Sequence, residues 1–236
     1  MATTAFCYSA KAELAQGAHC FLATQSGVAC TCSSTVNMTG LASTAGLAVG
    51  MAVTGTNAGA GGVISAIVSA TAVTLSVAST GALTSATFTA DVFKMLLIKT
   101  APARTFDGTQ TNVGTPGTGA SSATNVGTDE TSGTGYTTGG FTLTNISPAV
   151  GTTAGFWSFT TNPSWTSASF STTAGIIYNS SVRLGHANGV AANASGSAVN
   201  RSISVHDFGG TQTVTTGTFT VVLPTNAQGT AILQIS

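Results

Sequence analysis

Hydrophobic and polar positions alternate along this chain in short runs, and Gly, Asn or Pro separates most runs from the next. In the stretch "VTLSV", Val73, Leu75 and Val77 alternate with hydroxyl side chains, which predicts a strand with one buried and one solvated face. Similar runs recur between residues 47 and 90 at a spacing of about ten residues, as in a small meander or barrel. The pattern predicts an all-β fold.

The N-terminal segment is the exception, because its apolar residues follow a helical period. Leu14, Ala18 and Phe21 stand at i, i+4 and i+7, and Ser9 is placed where a side chain would cap the first turn. Such a short helix needs a surface to pack against. We therefore predict a helical arm within residues 1–24 that lies on this chain or on a neighbouring copy.

Residues 25–90 are predicted to form a small inserted β subdomain. The glycines from Gly59 to Gly62 mark a hairpin turn, since no Gly-Lys-Ser/Thr and helix follow them as a phosphate-binding loop requires. Residues 101–135 contain few large hydrophobic side chains, and loops of this length are usually functional or mobile. We expect this loop to lie across a neighbouring subunit and to become ordered only on assembly.

The rest of the chain, residues 91–236, is predicted to be the main domain. Its most apolar run, "DVFKMLLIKT" at 91–100, indicates a central strand. Strand-like segments with large aromatic residues follow from residue 136 onward. They predict an antiparallel β-sandwich or jelly-roll-like domain.

Charge is scarce in this sequence. Only 5 % of its 236 residues are charged, with six Lys and Arg against six Asp and Glu. Nucleic-acid binding draws on clustered cations, and these cations are scattered, so we expect no nucleic-acid partner. The sequence contains no run of 18 apolar residues, so no membrane-spanning helix is predicted. A net charge near zero leaves little repulsion between copies, which favours self-association.

Candidate catalytic residues are few. His206 and Asp207 are the best acid–base pair, and strand alternation would place His206 on one face with Ser204. We favour a partly exposed strand histidine without a catalytic role, since no nucleophile motif accompanies it. Asp129 and Glu130 are neighbouring carboxylates, but the residues around them add no further carboxylates for calcium. They are predicted to solubilise a loop or to pair with a cation on a neighbour.

The cysteines raise the question of a metal. Cys30 and Cys32 are separated by one residue, and His19 and Cys20 precede them. Structural zinc sites usually contain two ligand pairs with wider spacing, so small buried side chains or a chance disulfide are favoured over zinc. No metal or other cofactor is predicted. The start of the chain lacks the features of a secretory signal, so we expect assembly in a cytoplasm.

Several segments, taken in order, resemble a group of small β-rich structural proteins of tailed bacteriophages. They are "YSAKAELAQGAHCF", "DVFKMLLIKTAPARTFD", "TDETSGTGYTTGGFTL", "GIIYNSS" and "VHDFGGTQTVTTGTFTVVLP". The resemblance covers residues 5–22 and 91–236, and it implies a virion component of the head shell or the tail without any catalytic or ligand residue. In the "SGTGY-GG" turn, we expect Tyr136 to bury its ring while its hydroxyl bonds to the backbone.

Two functions follow as expectations. The first is a capsid decoration, or cement, protein that binds the major capsid protein and copies of itself, with a trimer suited to sites of local threefold symmetry. Its contacts would come from the N-terminal segment and the 101–135 loop. The alternative is a tail or fibre protein that recognises a host glycan, with Trp157, Trp165 and Asn162 as the candidate sugar site, although the alternation in "WSFTTNPSW" favours core packing of both tryptophans. The threonine-rich "TQTVTTGTFTVV" also suggests ice binding, but its spacing is too irregular for that chemistry.

Overall fold

The computed structural model describes residues 1–181 and 199–236. Strands make up 44 % of the structure and helix 5 %, which confirms the all-β prediction. The elements are, in chain order, β1 (Ala5–Phe6), α1 (Tyr8–Ala15), β2 (Gln25–Ser33), β3 (Asn37–Met38), β4 (Ala52–Thr54), β5 (Ile64–Ser69), β6 (Ala72–Leu75), β7 (Ala82–Thr89), β8 (Phe93–Ile98), β9 (Phe141–Thr142), β10 (Ala149–Val150), β11 (Gly155–Trp157), β12 (Ser164–Asn179), β13 (Arg201–Thr220) and β14 (Leu233–Ile235).

The strands form one five-stranded sheet and three three-stranded sheets within the described residues. The large sheet has the order β1-β13-β12-β8-β9, and a small sheet of the same part of the chain has the order β10-β11-β14. The other two, β2-β7-β4 and β3-β6-β5, are built from residues 25–90. All pairs of named strands are antiparallel. The jelly-roll-like arrangement and the proposed domain boundaries stay predictions.

Strand β8 lies inside the large sheet, as the apolar run predicted. It pairs with β12 on one side and with β9 on the other. Met95 and Leu97 are buried on one face, and Leu96 and Ile98 are buried on the other. This two-sided burial explains why the run lacks the alternation seen elsewhere in the chain.

The hydrophobic side chains gather in three clusters. The first surrounds the large sheet and includes Phe93, Trp157 and Ile176. The second draws its buried members from Cys20 to Ala90. The third is a small aromatic cluster that packs against the ends of β12 and β13 farthest from residues 179 and 201.

The helix differs from its prediction at both ends. It begins at Tyr8 after Cys7, without a side-chain cap, so the predicted capping role of Ser9 is wrong. It ends at Ala15 because Gly17 adopts a φ of 65°. The amide of Ala18 bonds to the Glu13 carbonyl and that of Gly17 to the Leu14 carbonyl, which is the paired bonding of a Schellman end. The predicted continuation of the helix through Ala18 to Phe21 is therefore also wrong.

The 101–135 segment is folded on its own chain, contrary to the expectation that it orders only on assembly. Phe106, Val113 and Val126 are fully buried in the main cluster. The amide of Val113 bonds to the Asn200 carbonyl, and side-chain oxygens of Asn112 and Asn125 accept turn amides. This polar segment is therefore ordered by three buried apolar side chains and by asparagine side chains that accept hydrogen bonds from its turns.

Candidate assembly surface and buried polar sites

His206 lies in β13, on the same face as Ser204, as alternation predicted. Its Nε2 is 2.9 Å from the Ser204 hydroxyl oxygen, and burial lowers the pKa of His206 to about 4, so the ring is neutral at pH 7. The Asp207 carboxylate accepts the amide of Gly209 instead of bonding to the imidazole. A serine triad needs a third group that orients the histidine. The described contacts supply none, and Ser204 is itself buried, so the pair acts as a structural contact.

Asp129 is buried, which corrects the prediction that it solubilises a loop or pairs with a neighbouring copy. Lys99 of the same chain places its Nζ 3.1 Å from Oδ1, and the amide of Ala103 lies 3.0 Å from both carboxylate oxygens. Although burial opposes ionisation, these partners together hold the pKa of Asp129 below its usual value. The carboxylate therefore ties β8 to the start of the 101–135 segment.

Glu130 is also buried, and the same prediction is wrong for it. Its Oε1 accepts hydrogen bonds from the Tyr136 hydroxyl and the Gly139 amide, each at 2.7 Å. The Tyr136 oxygen in turn accepts the amide of Leu97 at 3.0 Å, so the expected backbone partner of this tyrosine is present. Loss of water around the carboxyl raises the pKa of Glu130 in spite of these two donors. The glycine-rich turn is thus fastened to β8 through a buried carboxyl group.

A further set of buried polar side chains joins the helix to the large sheet. His19 Nε2 lies 2.8 Å from Glu13 Oε2, and the amide nitrogen of Asn179 lies 3.0 Å from His19 Nδ1. Because the Asn179 amide donates, Nδ1 accepts and Nε2 carries the hydrogen that Glu13 accepts. The same amide nitrogen donates to Asp91 Oδ2 at 2.7 Å, and Arg201 Nε lies 3.9 Å from Glu13 Oε1.

We call these five residues the junction network: Glu13, His19, Asp91, Asn179 and Arg201. All five are buried, and the His19 side chain has no exposed surface. Among the described residues, His19 is the histidine whose ring bonds to a carboxylate, and its burial denies a substrate access to it. The network connects α1, the segment after it, the start of β8, the end of β12 and the start of β13. Its geometry serves to fix these elements against one another.

The cysteines are the remaining candidate metal ligands, and the Cys20 amide donates to Asp91 Oδ2 of the junction network at 2.8 Å. All four are free and buried. Cys30 and Cys32 alternate along β2 and pack in the second cluster, where the Cys32 thiol lies 3.2 Å from the Thr35 carbonyl. In the described parts of the chain, no group of three or more His, Cys, Asp or Glu side chains is placed to hold a metal ion. The thiols behave as small apolar side chains.

The two tryptophans do not form the sugar site that the alternative function requires. Trp157 is 1 % exposed and packs against Phe21 and Phe159, with ring centroids 4.2 and 4.4 Å away. Trp165 is 5 % exposed and stacks on Tyr136. An aromatic sugar platform must be exposed, so these two side chains form no glycan site and pack in the core, as the alternation of their segment favoured. His186, the remaining histidine, lies outside the described residues.

The buried carboxylates explain what the few charges do. Four of the six carboxylate side chains in the chain are buried, namely those of Glu13, Asp91, Asp129 and Glu130. The sequence pattern did not reveal this, because Asp91 and Asp129 bond to partners 88 and 26 positions away, and the nearer partners of Glu13 and Glu130 carry no recognisable motif. The interior therefore uses most of the negative charge, and the outer surface is left with Asp107 and Asp207.

One surface without charged side chains is the part of β12 and β13 that extends over the third cluster. We call residues 164–171 and 208–220 the threonine ribbon. It contains no charged side chain, and six of the 13 residues of its β13 part are threonine. Its inner face packs Trp165, Phe170 and Phe219 together. On its exposed side, hydroxyl pairs cross the strands, from Ser164 to Thr220 at 3.0 Å and from Ser171 to Thr213 at 2.8 Å.

One edge of the threonine ribbon carries no neighbouring strand in the described chain. Strand β1 covers β13 only at Ser204 and Val205, and the amide of Asp207 bonds to the Thr4 hydroxyl. Beyond this point Gly209 and Gly210 adopt φ values of 73° and 148° in a bulge, and the residues from Thr211 to Thr220 continue along the edge. The ladder is irregular here, which agrees with the irregular threonine spacing that disfavours ice binding.

Across residues 1–181 and 199–236, no helix is long and apolar enough to cross a membrane. Comparisons with protein-family models, with curated proteins and with solved structures gave no match to this chain.

Proposed function

We propose that this chain is a structural component of a tailed-bacteriophage virion and acts as a capsid decoration, or cement, protein. In this role it binds the major capsid protein and further copies of itself, and bridges neighbouring capsomers after assembly in the host cytoplasm. The role is architectural and involves no reaction, cofactor, nucleic acid or membrane.

The observation that carries the proposal is the threonine ribbon. Protein interfaces are depleted of charge at their centres, and small side chains allow two flat surfaces to approach closely. The ribbon offers both properties over two long strands, while the chain keeps most of its carboxylates inside. The resemblance of residues 5–22 and 91–236 to phage structural proteins supports the same role.

The structure changes which parts we expect to make the contacts. The N-terminal segment and the 101–135 segment both bond extensively within their own chain. The ribbon is therefore a better contact surface than either of them. Burial of Trp157 and Trp165 also leaves the tail or fibre alternative without the sugar-binding residues on which it depended.

The test is the number of copies in purified virions of the phage that encodes this chain, measured on a stained gel against the major capsid protein. A cement protein is expected at a copy number comparable to that of the capsid protein, and it should remain with the heads when heads and tails are separated. A few copies that follow the tails would contradict the cement role and favour the tail alternative. Absence from the particle would refute both.

A further inference from the structure

We propose that two copies of this chain join through the open edge of β13, so that residues 211–220 of each copy pair in antiparallel fashion and the two large sheets become one. This inference deepens the self-association part of the proposed function by naming the surface. It depends on three features of the edge: its main-chain groups, its lack of charge and its side chains.

The main-chain groups of an open edge strand need partners. Strand β12 satisfies one side of β13, and in the described chain β1 and Thr4 close the other side only as far as Asp207. The next residues, from Thr211 to Thr220, are mostly exposed and keep strand geometry. An unpaired row of amide and carbonyl groups is a template for another strand.

Natural proteins usually protect such an edge with lysine, proline or an inward-pointing charge. The sequence from Thr211 to Thr220, "TQTVTTGTFT", contains none of these residues. The glycine bulge at Gly209 and Gly210 lies before this stretch rather than within it. Inside it, Thr216 has a left-handed φ of 47°, and the pairing with β12 shifts register between Val214 and Gly217 and again between Gly217 and Phe219.

A second copy fits this edge better than an unrelated strand. Antiparallel pairing about a two-fold axis is self-complementary, since each donor of one copy meets an acceptor of the other. The stretch has no charged side chain, so no like charges come together when two identical edges meet. Threonines at positions 211, 213, 215, 216, 218 and 220 provide cross-strand hydroxyl pairs, which stabilise antiparallel ladders.

The test compares two lysine variants of the full chain by sedimentation velocity over a range of concentrations. Thr215→Lys places a charge on the open edge at an exposed position. Thr166→Lys is the matched control, because Thr166 is also exposed and belongs to the ribbon, but lies on β12 away from that edge. Hydrogen exchange of the 211–220 amides gives a second readout.

We expect the wild-type chain and Thr166→Lys to form a dimer with the same dissociation constant, and the 211–220 amides to gain protection as the dimer forms. Thr215→Lys should raise the dissociation constant at least about tenfold, because each copy then brings a charge into the seam. A dimer that Thr215→Lys leaves unchanged would refute the edge pairing, and so would a wild-type chain that stays monomeric. Neither result alters the copy number in virions, which tests the cement role separately.

Discussion

The two halves of the β12–β13 pair differ in almost every respect. Near Asn179 and Arg201 the pair is covered on both sides, and buried ionic and amide groups fix it to the helix and to β8. In the threonine ribbon, the same two strands carry no charge and expose hydroxyl groups. The same strand pair is thus fixed by buried polar contacts at one end and exposes an uncharged surface at the other.

This difference shows where a few charged side chains contribute most to the stability of the fold. A surface ion pair contributes little to stability, whereas removing one member of a buried pair is costly. Because Glu13, Asp91 and Arg201 are buried, the stability of the fold depends strongly on these few residues. The threonine ribbon, in contrast, contains no charged side chain.

The largest effect is expected from Glu13→Ala at the closed end. The substitution leaves His19 and Arg201 buried without their carboxylate, and the free energy of unfolding should fall by about 3–5 kcal/mol. Urea unfolding followed by the fluorescence of buried Trp157 measures it. Lys11→Ala, an exposed position on the same helix, is the control and should change stability by no more than about 0.5 kcal/mol. Equal effects of the two variants would mean that the junction network does not stabilise the fold.

A smaller loss of stability is expected for Tyr136→Phe, which tests the hydrogen bonds made by the tyrosine that packs against the inner face of the threonine ribbon. The variant keeps the ring that stacks on Trp165 but removes the hydroxyl between Glu130 and the Leu97 amide. The free energy of unfolding should decrease by about 1–3 kcal/mol, since two buried groups lose a partner.

Tyr8→Phe is the matched control for this loss. The Tyr8 side chain is 62 % exposed, and removal of its hydroxyl should leave the unfolding midpoint in urea unchanged. If Tyr136→Phe leaves the free energy of unfolding unchanged, as Tyr8→Phe should, the hydrogen bonds of Tyr136 with Glu130 and Leu97 do not stabilise the fold.

His206, where the closed half passes into the ribbon, predicts a dependence on pH. Its pKa is about 4 in the folded chain, against about 6.5 in an unfolded one. Since the unfolded state binds the proton first, the stabilising contribution is complete above pH 6.5 and is lost as pH falls through 4. Between pH 7 and 4, the unfolding free energy of the wild type should fall relative to that of His206→Gln, which has no imidazole to protonate. Parallel curves would contradict burial of a neutral imidazole.

The smallest effect is expected for Thr213→Val on the exposed side of the ribbon. The lost hydroxyl pair with Ser171 is solvated, so stability should change by no more than about 0.5 kcal/mol. Thr172→Val makes the same chemical change at a buried site whose hydroxyl donates to the Ile98 carbonyl, and it should cost about 1 kcal/mol or more. Thermal unfolding midpoints of both variants distinguish the two sites. A larger loss from Thr213→Val would show that the ribbon's hydroxyl groups hold the fold.

The features that the sequence predicted are those that depend on neighbours along the chain. Alternation identified the burial of Val73 and Leu75, and the unbroken apolar run identified β8. Val77, two residues farther along the same alternation, is exposed because β6 ends at Leu75. Even the helix end could have been placed from Gly17, whose conformational freedom matters at that position.

The polar sites were not predictable in the same way. Asp129 and Glu130 look like solvated loop residues, and their partners Lys99 and Tyr136 become partners only when β8 is in place. The contacts of His19 with Asn179 span 160 positions. No local pattern encodes such a contact, because burial of these groups is decided by the fold as a whole.

The long separations within the junction network have a consequence for biosynthesis. Glu13 leaves the ribosome early, but Arg201 follows only after most of the chain has been made. The final contacts of the N-terminal helix can therefore form only after β13 has been synthesised. Contacts between residues so far apart in sequence form slowly. A nascent chain that stops before residue 201 lacks the strand onto which its first segment docks, which makes unfinished copies targets for proteolysis.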